Sequence, residues 1–147
     1  MIAKQRFYTS ELDPFLVIFV DKVEHFEIPA DDFERATNFY MKVFGWELNP
    51  VPGVEYTRLL TIRVDEVMKL PRPFEVNGAI IKRTEQIATP IVTITVNDMN
   101  DALKRIEKEG GVIIIGKKEF GDGGHTAYFK DPEGNVMGLW QIEARVQ

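Results

Sequence analysis

The sequence predicts an α+β domain built from two βαβββ halves, with the helices on the outer face of the strands. Three observations predict it. The same order of strand and helix signals occurs twice. An offset that carries Asp32 onto Asp98 also carries Ala36 onto Ala102, Lys42 onto Lys108 and Gly45 onto Gly111. The strand at 23–28 then falls on 89–94, so the repeat holds across a strand and a helix in succession.

The first half opens on a strand, Val23–Ile28. Asp31 and Asp32 offer an N-cap, because a short carboxylate accepts from the free backbone N–H groups of a first turn, and Glu34 adds negative charge there. Phe33, Ala36, Phe39, Tyr40 and Val43 recur at helical spacing, and Gly45 suits the left-handed residue that ends a helix. Strands are expected at Trp46–Asn49, Tyr56–Val64 and Val76–Arg83, with Pro50, Pro52 and Gly53 turning the chain between the first two and Pro71 and Pro73 in an irregular stretch before the last.

Thr84–Thr89 links the halves. The second half repeats the order: strand Ile91–Val96, rich in β-branched residues; N-cap Asp98; a helix buried through Ala102, Leu103 and Ile106 and ended by Gly110–Gly111; strand Val112–Ile115; a Gly121–Gly124 turn; strand His125–Lys130; a tight turn at Asp131–Asn135; and strand Val136–Ile142. Module one is thus 23–83 and module two 90–142, together one domain over 23–142. Residues 1–22 form an N-terminal extension, in which Phe15–Val20 reads as an added edge strand or as a segment packed on a partner subunit.

Composition narrows the function. Hydrophobic residues are 44% and charged residues 28% of 147, ordinary for a globular chain. A net charge of −5 argues against nucleic acid, whose phosphates demand a basic surface. The longest strong apolar run, Phe15–Val20, is far short of the roughly 20 residues of a membrane helix. There is no cysteine, hence no disulfide, thiolate site or thiol nucleophile. No basic segment followed by an apolar one opens the chain, so the expected compartment is the cytoplasm.

Alternation assigns faces to the strands. In Ile91–Val96, Val92, Ile94 and Val96 form an apolar set that belongs under the helices. Ile91, Thr93 and Thr95 form the wetter set. In the matching first strand Phe26 and Ile28 take the helix side, and His25 and Glu27 the wetter side. Aligning Val-Asn-Gly-Ala-Ile with Val-Met-Gly-Leu-Trp sets Gly78 opposite Gly138. Ala79, Ile81 and Leu139 then belong to the helix side, and Gly78, Ile80, Lys82, Gly138 and Trp140 to the other. His25, Glu27, Thr93, Trp140, Gly78 and Gly138 would line one concave surface, and polar pairs beside an aromatic on an apolar wall suit a small-molecule pocket.

The stretch from His25 to Trp46, with its Phe39-Tyr40 pair and Phe44-Gly45-Trp46 ending, and the turn Phe129-Lys-Asp-Pro-Glu-Gly-Asn135 resemble the first strand and helix and the final hairpin of the glyoxalase/bleomycin-resistance/extradiol-dioxygenase (vicinal oxygen chelate) superfamily. Within it, the Gly138-Leu139-Trp140 ending resembles the glyoxalase-like "predicted enzyme" group related to lactoylglutathione lyase. The resemblance covers about residues 23–142. It implies curled sheets around a cup-shaped cavity that holds the active site. It also implies a homodimer. The superfamily hosts isomerases, epimerases, dioxygenases, thiol transferases and antibiotic-binding proteins, so the fold alone does not deliver a reaction.

The family's metal enzymes take ligands from the first and last strands of each module. His25 stands at the first such position. The repeat carries it to Ile91, and the last-strand positions fall on Gly138 and, by the alignment above, Gly78. His25 is the only family ligand retained, and a divalent ion needs several fixed donors. The expected cofactor is therefore none, with a divalent metal held through the non-family positions Glu27 and His125 as the lesser alternative.

Two roles stand open for His25 and Glu27: proton transfer, with the Glu27 carboxylate raising the pKa of His25, or a buried structural pair. His125, after Gly-Asp-Gly-Gly, is either a pocket residue on a lid or an exposed loop histidine. Trp140 is either a ligand wall or packing. Asp131–Asn135 reads as turn chemistry. Two functions follow. One is a glyoxalase-like enzyme acting on a small carbonyl, hydroxy or aromatic compound; the other is a binding or sequestration protein using the cup without turnover.

Overall fold

The computed structural model describes residues 21–61, 76–121 and 123–142. The expected edge strand Phe15–Val20, the end of the strand at 62–64 and the prolines at 71 and 73 lie outside them. The described elements run β1 (Lys22–Ala30), α1 (Phe33–Phe44), β2 (Glu47–Pro50), β3 (Tyr56–Leu60), β4 (Asn77–Lys82), β5 (Ile91–Thr95), α2 (Met99–Lys108), β6 (Val112–Phe120), β7 (Gly124–Lys130) and β8 (Val136–Ile142). This is βαβββ twice.

Both helices start as their sequences require. The Asp32 side chain accepts from Arg35 N at 2.9 Å and the Asp98 side chain from Asp101 N at 3.0 Å, each satisfying one of the donors a first turn leaves free. Gly45, at φ 69°, closes α1 in the left-handed region that costs a glycine nothing.

The strands form one curled, unclosed sheet in the order β2-β3-β4-β1-β5-β8-β7-β6. Each module keeps its first strand innermost, beside its last: β1 with β4 and β5 with β8, both parallel. The two innermost strands pair antiparallel, His25 opposite Thr93 and Glu27 opposite Ile91, which fuses the modules into a single sheet. α1 packs on β2 and β4, α2 on β6, β7 and β8.

Side-chain parity sorts the core into layers. Met99 and Ala102 of α2 pack with Val96, Ala127, Phe129 and Leu139 beneath them. On the side of α1, Ala30, Leu59 and Ile80 are joined by Phe26, Ile28, Phe33 and Tyr40. Ala79, Ile81, Ile87 and Ile91 form a third cluster with Tyr56 and Tyr128. It lies on the sheet's other face, between its two arms.

That third cluster corrects the expected faces of β4. Its register with β1 sets Gly78 opposite Phe26 and Ala79 opposite Glu27. A Cβ at Gly78 would stand 2.5 Å from the Phe26 carbonyl and 2.8 Å from its ring, so Gly78 lies on the helix side with Phe26 and does not line the concave face. Ile80 goes with it, whereas Ala79 and Ile81 face inward. The counterpart of Gly138, which pairs with Thr93, is therefore Ala79 and not Gly78.

β6 runs to Phe120, beyond the expected end at Ile115, through register shifts between Ile113 and Ile115 and between Ile115 and Lys118. The 131–135 turn is built as read: the Asp131 carboxylate accepts from the backbone N–H groups of Glu133 and Asn135, each at 2.9 Å, and Gly134 takes φ 83°. Beyond the expected features, the Arg83 guanidinium ties the inter-module link to β1 by bonding Asp31, the Pro29 carbonyl and the Ala88 carbonyl.

Candidate functional site

The concave face encloses a cavity of about 390 Å³. Its floor comes from the innermost strands. His25 and Glu27 reach it from β1, since alternate residues share a face, and Thr93 and Thr95 reach it from β5. Ile81 contributes from β4. The walls come from the outer strands: Tyr56 from β3, Phe120 from β6, Thr126 and Tyr128 from β7, and Trp140 and Ile142 from β8.

Glu27 is the polar centre. It is 4% exposed, and its Oε2 accepts from the Tyr128 hydroxyl at 2.6 Å, a contact between the innermost strand of module one and an outer strand of module two. Burial pushes the Glu27 carboxyl above its ordinary value, against the opposing pull of the Tyr128 hydrogen bond. Tyr128 is in turn raised, first by burial and then by the Glu27 charge.

His25 has a different partner from the expected one. Its Nε2 lies 3.4 Å from the Tyr56 hydroxyl, and no Glu27 bond to it occurs among the described residues. Burial lowers its pKa, which corrects the expected upward shift: desolvation of the imidazolium outweighs any attraction from Glu27. Neutral imidazole is the favoured form. Tyr56 is pushed up to about 12, by burial first and then by Glu27.

Thr93 is 2% exposed, and its Oγ1 has no hydrogen-bond partner among the described residues. Gly138 stands beside it; a Cβ there would come within 2.7 Å of Thr93 Oγ1 and 3.3 Å of Ile91. Gly138 thus packs closely on Thr93, with no room between them for a side chain. Three rings form one side of the cup, Phe120 packing on Tyr56 at 4.7 Å and on Trp140 at 5.9 Å between centroids. Trp140 packs against Gly124, where a Cβ would meet the indole at 2.0 Å.

His125 does not line the cup. It is 8% exposed and shares the parity of Ala127 and Phe129, which pack under α2. Strand alternation turns Thr126 and Tyr128 inward and His125 away. Of the sequence-predicted residues, His25, Glu27, Thr93 and Trp140 line the cup; Gly138 packs behind Thr93, and Gly78 and His125 are left out. Tyr56, Phe120 and Tyr128 were missed. The apolar Ala127 and Phe129, which belong to the core and so turn the alternate Tyr128 to the other face, were the signal for Tyr128.

At the ligand positions that the resemblance implies stand His25, Ile91, Gly138 and, by the register of β4, Ala79. His25 and Glu27 are two donors on one strand, and among the described residues no three His, Cys, Asp or Glu side chains converge as a metal site requires. This donor set does not fit a four-ligand divalent centre.

The Glyoxalase/Bleomycin resistance protein/Dioxygenase superfamily profile matches residues 22–139, and the chain belongs to that superfamily. It is 25% identical over 124 residues to CFP32 of Mycobacterium tuberculosis, whose name provisionally calls it a glyoxylase; the match covers 82% of this chain and 45% of that one. The chain thus spans under half the length of that relative. It is 28% identical over 130 residues to a glyoxylase-like domain-containing protein of Didymella fabae, covering 80% of this chain and 91% of the other. Among solved structures it is similar in fold to Streptomyces coelicolor methylmalonyl-CoA epimerase bound to 2-nitronate-propionyl-CoA. That similarity has a TM-score of 0.58 and 14% identity and covers 83% of this chain and 97% of that one. A hypothetical protein of Bacillus halodurans gives a TM-score of 0.57 at 10% identity, covering 86% and 98%. Among the described residues no helix is long and apolar enough to cross a membrane.

Proposed function

We propose that the cup binds one small organic molecule, its apolar body against Phe120 and Trp140 and its polar group against Glu27, His25 and Thr93, without the family's four-ligand metal centre. The observation that carries this reading is Glu27: a carboxyl held by Tyr128 at the floor of a mostly apolar cavity of about 390 Å³. Burying such a group is costly, and a ligand that bonds it offsets the cost. His25, favoured as neutral imidazole, supplies a base for proton transfer on the bound molecule. The absence of carboxylates at Ala79 and Gly138 removes charge from this face and favours a second reading, sequestration without turnover.

Thermal-shift screening of a small-molecule library separates these readings from a plain structural role. Hits that stabilise the wild type and fail to stabilise Trp140→Ala support the cup as the site; hits that stabilise both equally contradict it. For any turned-over hit, His25→Ala abolishes turnover under the enzymatic reading and only retunes affinity under sequestration. A homodimer belongs to the same proposal, supported by the exposed Phe39, Val43 and Phe44 of α1, and sedimentation reads it directly.

A further inference from the structure

Glu27 is a buried acid without a counter-charge. Among the described residues its hydrogen-bond partner is Tyr128 alone, and no Lys, Arg or His lies within ion-pair distance. The described lining adds Glu24 and Glu55 and includes no Lys or Arg. Glu55, at the exposed rim, is paired loosely with Lys82 at 3.8 Å. The cup is therefore acidic at its floor and its edge. Buried carboxylates are ordinarily paired with a cation or a metal, because desolvating an isolated charge is expensive.

We infer that the cup selects a small organic cation, an amine with an aromatic or apolar body, whose ammonium group pairs with Glu27. The inference rests on the small-molecule reading above and names its ligand class. An ammonium group carries donors and no acceptor. The floor offers a matching acceptor, the Glu27 carboxylate. The rings of Tyr56, Phe120 and Trp140 line the same cavity, and aromatic rings attract a cation as well as an apolar body. A carboxylate or phosphate ligand would instead add negative charge beside an already desolvated Glu27.

The test is calorimetric titration of the full chain with three probes of matched shape: phenethylamine, phenethyl alcohol and hydrocinnamate. The inference predicts that the amine binds about tenfold or more tighter than the alcohol, as a charge-assisted bond would give, that hydrocinnamate does not bind, and that Glu27→Gln erases the preference for the amine. Equal binding of the alcohol, or tighter binding of hydrocinnamate, overturns the cation preference and leaves the small-molecule reading standing. Binding of none of the three by the folded wild type sinks that reading and this inference with it.

Discussion

The Tyr128 hydroxyl donates to Glu27 Oε2 at 2.6 Å across the hollow of the sheet, joining the innermost strand of one module to an outer strand of the other. Removing the donor leaves a buried carboxyl with no partner among the described residues. Tyr128→Phe is expected to lower unfolding free energy by about 1–3 kcal/mol, the cost of an unsatisfied buried acceptor. Urea denaturation measures it; an unchanged midpoint would show that the bond contributes nothing.

Stability should bend with pH in two opposite limbs. Glu27 is raised from 4.5 by burial, so the folded state binds its proton more tightly than the unfolded chain; stability is full below 4.5 and declines as pH rises through the raised value. His25 is lowered from 6.5 by burial, so its contribution is full above 6.5 and declines as pH falls through the lowered value. Denaturation across a pH series should show Glu27→Gln flattening the first limb and His25→Gln the second. A variant that flattens neither contradicts the burial assigned to its residue.

Glycines on the sheet are not equivalent. Gly138→Ala drives a Cβ against Thr93 Oγ1 at 2.7 Å and is expected to cost about 1–3 kcal/mol through overpacking. Gly116→Ala meets nothing within 4 Å and should stay within about 0.5 kcal/mol of wild type. Comparable losses for the two would refute the tight fit of Gly138 on Thr93.

Gly124→Ala tests the aromatic wall. Its Cβ cannot coexist with the Trp140 indole at 2.0 Å, so the ring must leave its seat. Tryptophan fluorescence should shift, and ligand affinity should fall with it. An unchanged spectrum and affinity would mean that Trp140 is not held there.

Much of the architecture was legible because it rests on local chemistry. Caps at Asp32 and Asp98, the end at Gly45 and the Asp131 turn are decided by near neighbours. The alternation of Ile91 to Val96 correctly separated Thr93 and Thr95 from Ile94 and Val96. The face of β4 was not legible. A matching Gly in two similar strings suggested a register one residue away from the actual one, and with a period of two, one residue inverts every side chain. His125 failed through the same parity: Ala127 and Phe129 carried the signal, but the preceding glycines suggested a loop. Phe120 was hidden because the irregularities in β6 carry a strand past the point where its apolar run ends. The pairing of Tyr56 with His25 joins distant strands, and no spacing along the chain announces it.

The most direct measurement is a crystal structure of the full chain with its tightest-binding hit, accompanied by elemental analysis. The account predicts the molecule inside the hollow, its polar group within hydrogen-bond distance of Glu27 and its body on Trp140, with no stoichiometric metal. A fully ligated ion held by His25, or a ligand seated away from Glu27, would contradict it.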